Sequence, residues 1–219
     1  MGKYEYILLD LDGTITDPAL GITNSVMHAL NHYNIKCENR SDLYVFIGPP
    51  LYASFMKYYG FSKEQAENAV AVYREYYQVA GIFECNIYPG IELFLQNLKK
   101  AGKKVVLATS KPEEYANRIL EHFGLNGYFD LVAGATMDGS RIKKEDVIKY
   151  AFTKLGITDP SLVVMVGDRE FDILGARING ANSIGVTYGY GSRQELETAN
   201  ATYICDTVPE LEEIIFKKC

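Results

Sequence analysis

No apolar run in this sequence approaches the ~18 residues that would suggest a membrane-spanning helix, so an integral membrane protein is not expected. Cysteine is scarce. Cys37, Cys85, Cys205 and Cys219 lie far apart, without the paired spacing of a metal site, which points to reduced thiols in a cytoplasmic protein. An excess of positive charge is missing as well: 22 Lys and Arg against 28 Asp and Glu leave a formal charge of −6. That balance argues against a nucleic-acid polymer as partner. It leaves room for a phosphorylated small molecule, because a local cation and a lysine can dominate a site. Internal repeats and low-complexity segments are absent, and the N-terminus enters a strand pattern within a few residues, too early for a cleavable signal. What remains is a chain of 219 residues, 47% hydrophobic and 23% charged, suited to one domain or one domain with an insert.

Against that background one stretch stands out. Asp10-Leu11-Asp12-Gly13-Thr14 directly follows the apolar run Tyr6-Ile7-Leu8-Leu9. Side chains at i and i+2 of an extended segment point the same way, so both acids can address one site. Gly13 permits a tight turn or a close backbone approach. Two acids held this near repel unless a cation or a shared proton sits between them, which is the chemistry of a metal site with a carboxylate nucleophile and an acid/base partner. A solvated Asp-rich turn is the competing reading.

Two more buried-strand patterns end in polar chemistry. Lys104-Val105-Val106-Leu107-Ala108 runs into Thr109-Ser110-Lys111-Pro112, and Leu162-Val163-Val164-Met165-Val166 runs into Gly167-Asp168, with Asp172 at the start of a helical pattern. The basic segment Arg141-Ile142-Lys143-Lys144 precedes an amphipathic run through Val147, Ile148 and Leu155. In open parallel sheets ligands bind outside the carboxyl ends of the strands, so three chemically loaded strand ends point to one site.

Between the first strand and Tyr88-Pro89-Gly90 the pattern is helical: Ile22, Val26, Ala29 and Leu30, then Leu51, Phe55 and Tyr59, then Ala66, Ala69, Val70 and Tyr73. Ser62 and Gln65 have capping-box spacing, as do Ser192 and Glu195. From Ile91 onward strands and helices alternate. The expectation is an α/β fold, a doubly wound parallel sheet formed by residues 1–18 and 88–219, with residues 19–87 inserted as an all-helical domain. His28, His32 and His122 lie in helical patterns and read as structural. The cap tyrosines, at helical spacing, read as core.

Taken in order, these motifs resemble the haloacid dehalogenase superfamily phosphohydrolases, and the resemblance covers essentially the whole chain. It implies a Rossmann-like core with a helical cap, and a Mg²⁺-dependent phosphate monoester hydrolase working through an aspartyl-phosphate. Asp10 falls on the nucleophile, Asp12 on the acid/base, Thr109 on the hydroxyl motif and Lys144, preferred over adjacent Lys143, on the lysine motif. The metal would be held by Asp10, Asp168 and the backbone carbonyl of Asp12. Asp172 would orient that shell or pair with Lys144. The cap turn at Gly48 and Pro49, with Ser110, would contact substrate.

Duller roles stand beside these: Thr109 as a helix cap, Lys144 as a solvated helix-start residue, Asp172 as a complement to a helix dipole, and Ser110 and Lys111 as plain loop residues. A dehalogenase is disfavoured, because displacing halide needs no acid such as Asp12. The branch resembles phosphoglycolate phosphatases, while Phe46-Ile47-Gly48-Pro49-Pro50-Leu51 is similar to a 5′-nucleotidase-like subgroup. A β-phosphoglucomutase-like phosphomutase shares the motifs, and a phosphate-binding module without turnover is the non-enzyme alternative. The expected partner is a small phosphorylated metabolite, and the expected state a monomer or homodimer.

Overall fold

The computed structural model describes residues 3–217, so Cys219 lies outside the described residues. In chain order the elements are β1 (Tyr6–Leu9), β2 (Thr16–Asp17), α1 (Ala19–His32), α2 (Leu51–Tyr59), α3 (Lys63–Tyr77) and β3 (Asn86–Ile87). There follow α4 (Ile91–Lys100), β4 (Lys104–Pro112), α5 (Glu113–His122), β5 (Leu131–Ala135), α6 (Lys144–Leu155) and β6 (Val163–Gly167). The last are α7 (Glu170–Ile178), β7 (Asn182–Val186), α8 (Arg193–Thr198), β8 (Tyr203–Cys205) and α9 (Val208–Lys217). Packing separates two compact units, one running up to Asp17 and again from Ile87, the other spanning Pro18–Asn86.

The larger unit is built on a parallel six-stranded sheet in the order β5-β4-β1-β6-β7-β8. Central β1 pairs on both edges, Leu9 lying beside Leu107 of β4 and Val166 of β6. Ile7, Leu8, Leu9, Val105 to Ala108 and Val163 to Val166 are buried, as strands covered on both faces require. Helix α6 packs on β4 and β5, and α7 on β6 and β7. From β1 the chain winds outward through β4 and β5, then returns to the other edge of β1 through β6, β7 and β8. The order therefore reverses between β1 and β6, the place where doubly wound sheets bind ligands.

The smaller unit is helical. Within it α1 and α2 both pack against α3, and the ring of Phe55 lies 5.0 Å from Phe46, edge-on, and 5.7 Å from Phe61, stacked. Ser62 and Gln65 form the reciprocal capping box at the start of α3, with both bonds present. The tyrosines divide: Tyr73 and Tyr77 are buried and stacked, whereas Tyr44 and Tyr58 are exposed.

Two local expectations need correction. Strand β4 does not stop at Ala108 but continues, through a register irregularity, to Pro112, so Ser110 and Lys111 are strand rather than loop residues. At Ser192 only half of the capping box forms. The Ser192 side chain accepts from the Glu195 amide, but the Glu195 carboxylate binds the Arg169 guanidinium and the Glu170 amide, both at the start of α7, instead of turning back. A charged donor from a neighbouring helix outcompetes a single neutral amide.

Candidate active site

The chain leaves β1 by a short loop whose backbone is closed on itself. The amides of Ile15 and Thr16 donate to the Leu11 carbonyl, and the Gly13 amide donates to Thr16. Gly13 has φ +81°, and a Cβ there would stand 2.2 Å from Asp168 Oδ2. The loop thus needs glycine both for its turn and for the acid that packs against it.

Lys144, the first residue of α6, is buried. Nζ lies 2.9 Å from Asp10 Oδ1, 2.8 Å from Asp172 Oδ1 and 2.8 Å from the Ala108 carbonyl. The Ala108 carbonyl is the hydrogen-bond acceptor, and the two aspartates are ion-pair partners. Burial works against the charge on Lys144, but the carboxylates of Asp10 and Asp172 outweigh it and raise the pKa. Neighbouring Lys143 is exposed and 4.0 Å from Glu145. Asp172 pairs with Lys144 through Oδ1 and accepts from the Arg169 amide with Oδ2. Burial, more than Lys144 relieves, lifts its pKa to about 6.

Lys111 is the residue the sequence reading passed over. Its Nζ stands 2.7 Å from Asp12 Oδ2, and its amide donates to Thr109 Oγ1. The available signal was its i+2 spacing from Thr109, which is informative only once the segment is known to be extended. Thr109 is buried and Ser110 half-buried on the same strand. Burial raises the pKa of Asp12 despite the opposing charge of Lys111.

Asp168 follows β6 and is fully buried. Its Oδ2 accepts from the Tyr190 amide at 2.7 Å, while Oδ1 has no hydrogen-bond partner among the described residues. Burial and the nearby Asp172 charge push its pKa well up. Carboxylate oxygens of Asp10, Asp168 and Asp172 lie within 4.8 Å of one another.

Charge decides what this cluster can hold. Asp10, Asp12, Asp168 and Asp172 bring four carboxyl groups against the two ammonium groups of Lys111 and Lys144, so full ionisation of the acids would leave two negative charges uncompensated. An all-oxygen donor set with an orphaned buried carboxylate oxygen fits a hard divalent cation such as Mg²⁺. Gly48 and Pro49 belong to the smaller unit, where Gly48 is exposed at φ +100° and Pro49 half-buried, just ahead of α2.

No helix among the described residues is long and apolar enough to cross a membrane, and Cys37, Cys85 and Cys205 are not joined in disulfides.

Comparison with known proteins accords with this geometry. Residues 7–186 match the family model described as haloacid dehalogenase-like hydrolase. A crystal structure of a predicted phosphatase from Clostridium acetobutylicum superimposes with a TM-score of 0.94 at 49% identity, covering 98% of this chain and 99% of that one. A 5′-nucleotidase of Pseudomonas aeruginosa is 40% identical over 97% of this chain and 96% of its own length. The tyrosine-protein kinase PtkA of Mycobacterium tuberculosis is 37% identical over 96% of this chain, which spans 72% of that protein.

Proposed function

This chain belongs to the haloacid dehalogenase-like hydrolase family and is a phosphatase, and we propose that it hydrolyses small phosphate monoesters, nucleoside 5′-monophosphates being the class we favour. The observation that carries the reaction is the shared position of Asp10, Asp12, Lys144 and Asp168 at the point where the strand order reverses. In this reading Asp10 Oδ1 is held by the Leu11 amide and by Lys144, and the second carboxylate oxygen attacks phosphorus. The new bond is Asp10 oxygen to phosphorus; the bond that breaks joins phosphorus to the ester oxygen. Asp12, kept protonated more readily by burial, gives its proton to that leaving oxygen. It then takes a proton from water as the water attacks the aspartyl-phosphate, releasing inorganic phosphate and the Asp10 carboxylate. Thr109 and Lys144 hold the transferring oxygens. Asp10, Asp168 and the Asp12 carbonyl would hold Mg²⁺, which would supply the positive charge that lets an anionic nucleophile meet a dianion.

The nucleotide class is supported by the full-length likeness to a 5′-nucleotidase, and phosphoglycolate is the second candidate through the motif resemblance. The kinase-named relative carries sequence beyond the span it shares with this chain, so its activity is not transferred. We assign the choice of leaving group to the turn at Gly48 and Pro49, a stiff, partly exposed segment ahead of α2. Small phosphate esters also suit a cytoplasmic setting.

The test is phosphate release by the purified chain in Mg²⁺ from a panel of nucleoside monophosphates, phosphoglycolate, sugar phosphates and an aryl phosphate. Nucleoside monophosphates should rank first, chelation should abolish turnover, and Pro49→Ala should reorder the natural esters more than it changes the aryl phosphate. A panel led by phosphoglycolate would replace the nucleotide assignment. No release from any ester would overturn the hydrolase mechanism.

A further inference from the structure

Asp168 is held by a segment that the motifs do not include, the loop Tyr188–Gly191 between β7 and α8. Its grip is backbone and steric. The Tyr190 amide donates to Asp168 Oδ2 at 2.7 Å. A Cβ on Gly189 would lie 2.3 Å from the Gly13 carbonyl oxygen and 2.5 Å from Asp168 Cβ, and one on Gly191 would lie 1.8 Å from the Asp168 carbonyl oxygen. Neither glycine has a left-handed φ, so space rather than conformation excludes a side chain here.

The loop is also braced at both tyrosines. The Tyr188 hydroxyl donates to the Thr14 carbonyl at 3.1 Å, within the loop that carries Asp10 and Asp12, and the Tyr190 hydroxyl donates to Asp17. Tyr88 packs edge-on against Tyr188, ring centres 5.0 Å apart. One short loop therefore touches both strand-end segments that bring carboxylates to the site, after β1 and after β6.

We infer that Tyr188–Gly191 is a positioning element for the cation site, spending one oxygen of Asp168 on the Tyr190 amide so that the other stays aimed at the cation. The inference rests on the cation reading above. A carboxylate without that amide would turn about its χ angles, and the site would lose a ligand already oriented before binding. Tyr188 and Tyr190 are positioning residues: they act through Thr14, Asp17 and Asp168.

The experiment titrates the whole chain with Mn²⁺, following free ion by electron paramagnetic resonance, and measures phosphate release against Mg²⁺ concentration. Wild type should bind Mn²⁺ and Asp168→Asn should not. Gly189→Ala should weaken Mn²⁺ roughly ten- to hundredfold with far-UV circular dichroism unchanged. Its kcat should recover at saturating Mg²⁺, a shift in midpoint that a partly unfolded protein would not show. If Gly189→Ala does not fold, Tyr188→Phe decides: weaker Mn²⁺ binding supports the proposal, and unchanged binding overturns it. A folded Gly189→Ala with wild-type Mn²⁺ affinity overturns the positioning role alone. Wild type without Mn²⁺ binding, or Asp168→Asn binding equally well, overturns the cation reading and this proposal with it.

Discussion

Two clusters of lysine and aspartate sit at opposite ends of one parallel sheet. At the amino end Asp130, just before β5, meets Lys99 at 2.9 Å and Lys104, the first residue of β4, at 3.0 Å. At the carboxyl end Lys144 meets Asp10 and Asp172 at nearly the same distances. Residue types and geometry match; burial does not. The Lys104 side chain is 57% exposed and that of Lys144 only 2%. Water screens the first group and stands ready to replace any member of it, so the pairs contribute little. In the second, each charge depends on its partners, and the surplus of carboxylate creates a demand for a cation. Chemistry concentrates where charge is expensive to bury.

The largest expected contrast is in turnover. Asp10→Asn should reduce phosphate release by at least about a thousandfold, because the attacking oxygen is lost, with the circular dichroism of the native fold retained. Asp130→Asn should leave turnover unchanged. Comparable losses in the two variants would erase the functional distinction between the sheet ends.

Stability should separate the same two ends by a smaller margin. Lys144→Met strands Asp10 and Asp172 as buried, unpaired carboxylates and should cost about 3–5 kcal/mol in urea unfolding with chelator present. Lys104→Met should cost less than about 1 kcal/mol. Equal costs would show that burial is not what distinguishes the clusters.

The subtlest contrast is the sign of the pH dependence. Asp168 and Asp172 are raised in the folded chain, Asp172 to about 6, chiefly by burial. Between the ordinary carboxylate value of 3.8 and that region the folded state binds more protons than the unfolded state. Raising the pH through this window in chelator should therefore lower the stability that these groups contribute, and Mg²⁺ should flatten the slope. Asp130 behaves oppositely. Burial opposes its ionisation, but Lys99, the Val105 amide and Lys104 prevail and hold its pKa below 3.8. Its contribution is present above the ordinary value and is lost as the pH falls through the depressed one. Thermal melts of wild type and Asp130→Asn, with and without chelator, separate the two; a chelated protein that gains stability across the upper window would reverse the assignment.

Much of the frame was legible before any coordinates. Asp10 and Asp12 could be paired because strand geometry brings i and i+2 to one side, and the apolar runs at Val105 and Val163 marked strands because sheets covered on both faces demand them. Lys111 escaped because a Thr-Ser-Lys-Pro stretch reads as a turn, and only pairing of β4 with β5 keeps it extended. Glu195 has capping-box spacing, yet Arg169 claims its carboxylate from 26 residues away.

What the sequence determined by itself was periodicity and the identity of the charged groups: an alternating α/β chain, a helical insert, and acids at the ends of buried strands. Those follow from local rules, since a side chain's direction depends on its own few neighbours. The tertiary structure alone decided which acids share a counter-ion, which lysine is dry, and that the Tyr190 amide is spent on Asp168. A backbone amide carries no sequence signature, and the energy of a charge depends on what is packed around it, which only the folded chain specifies.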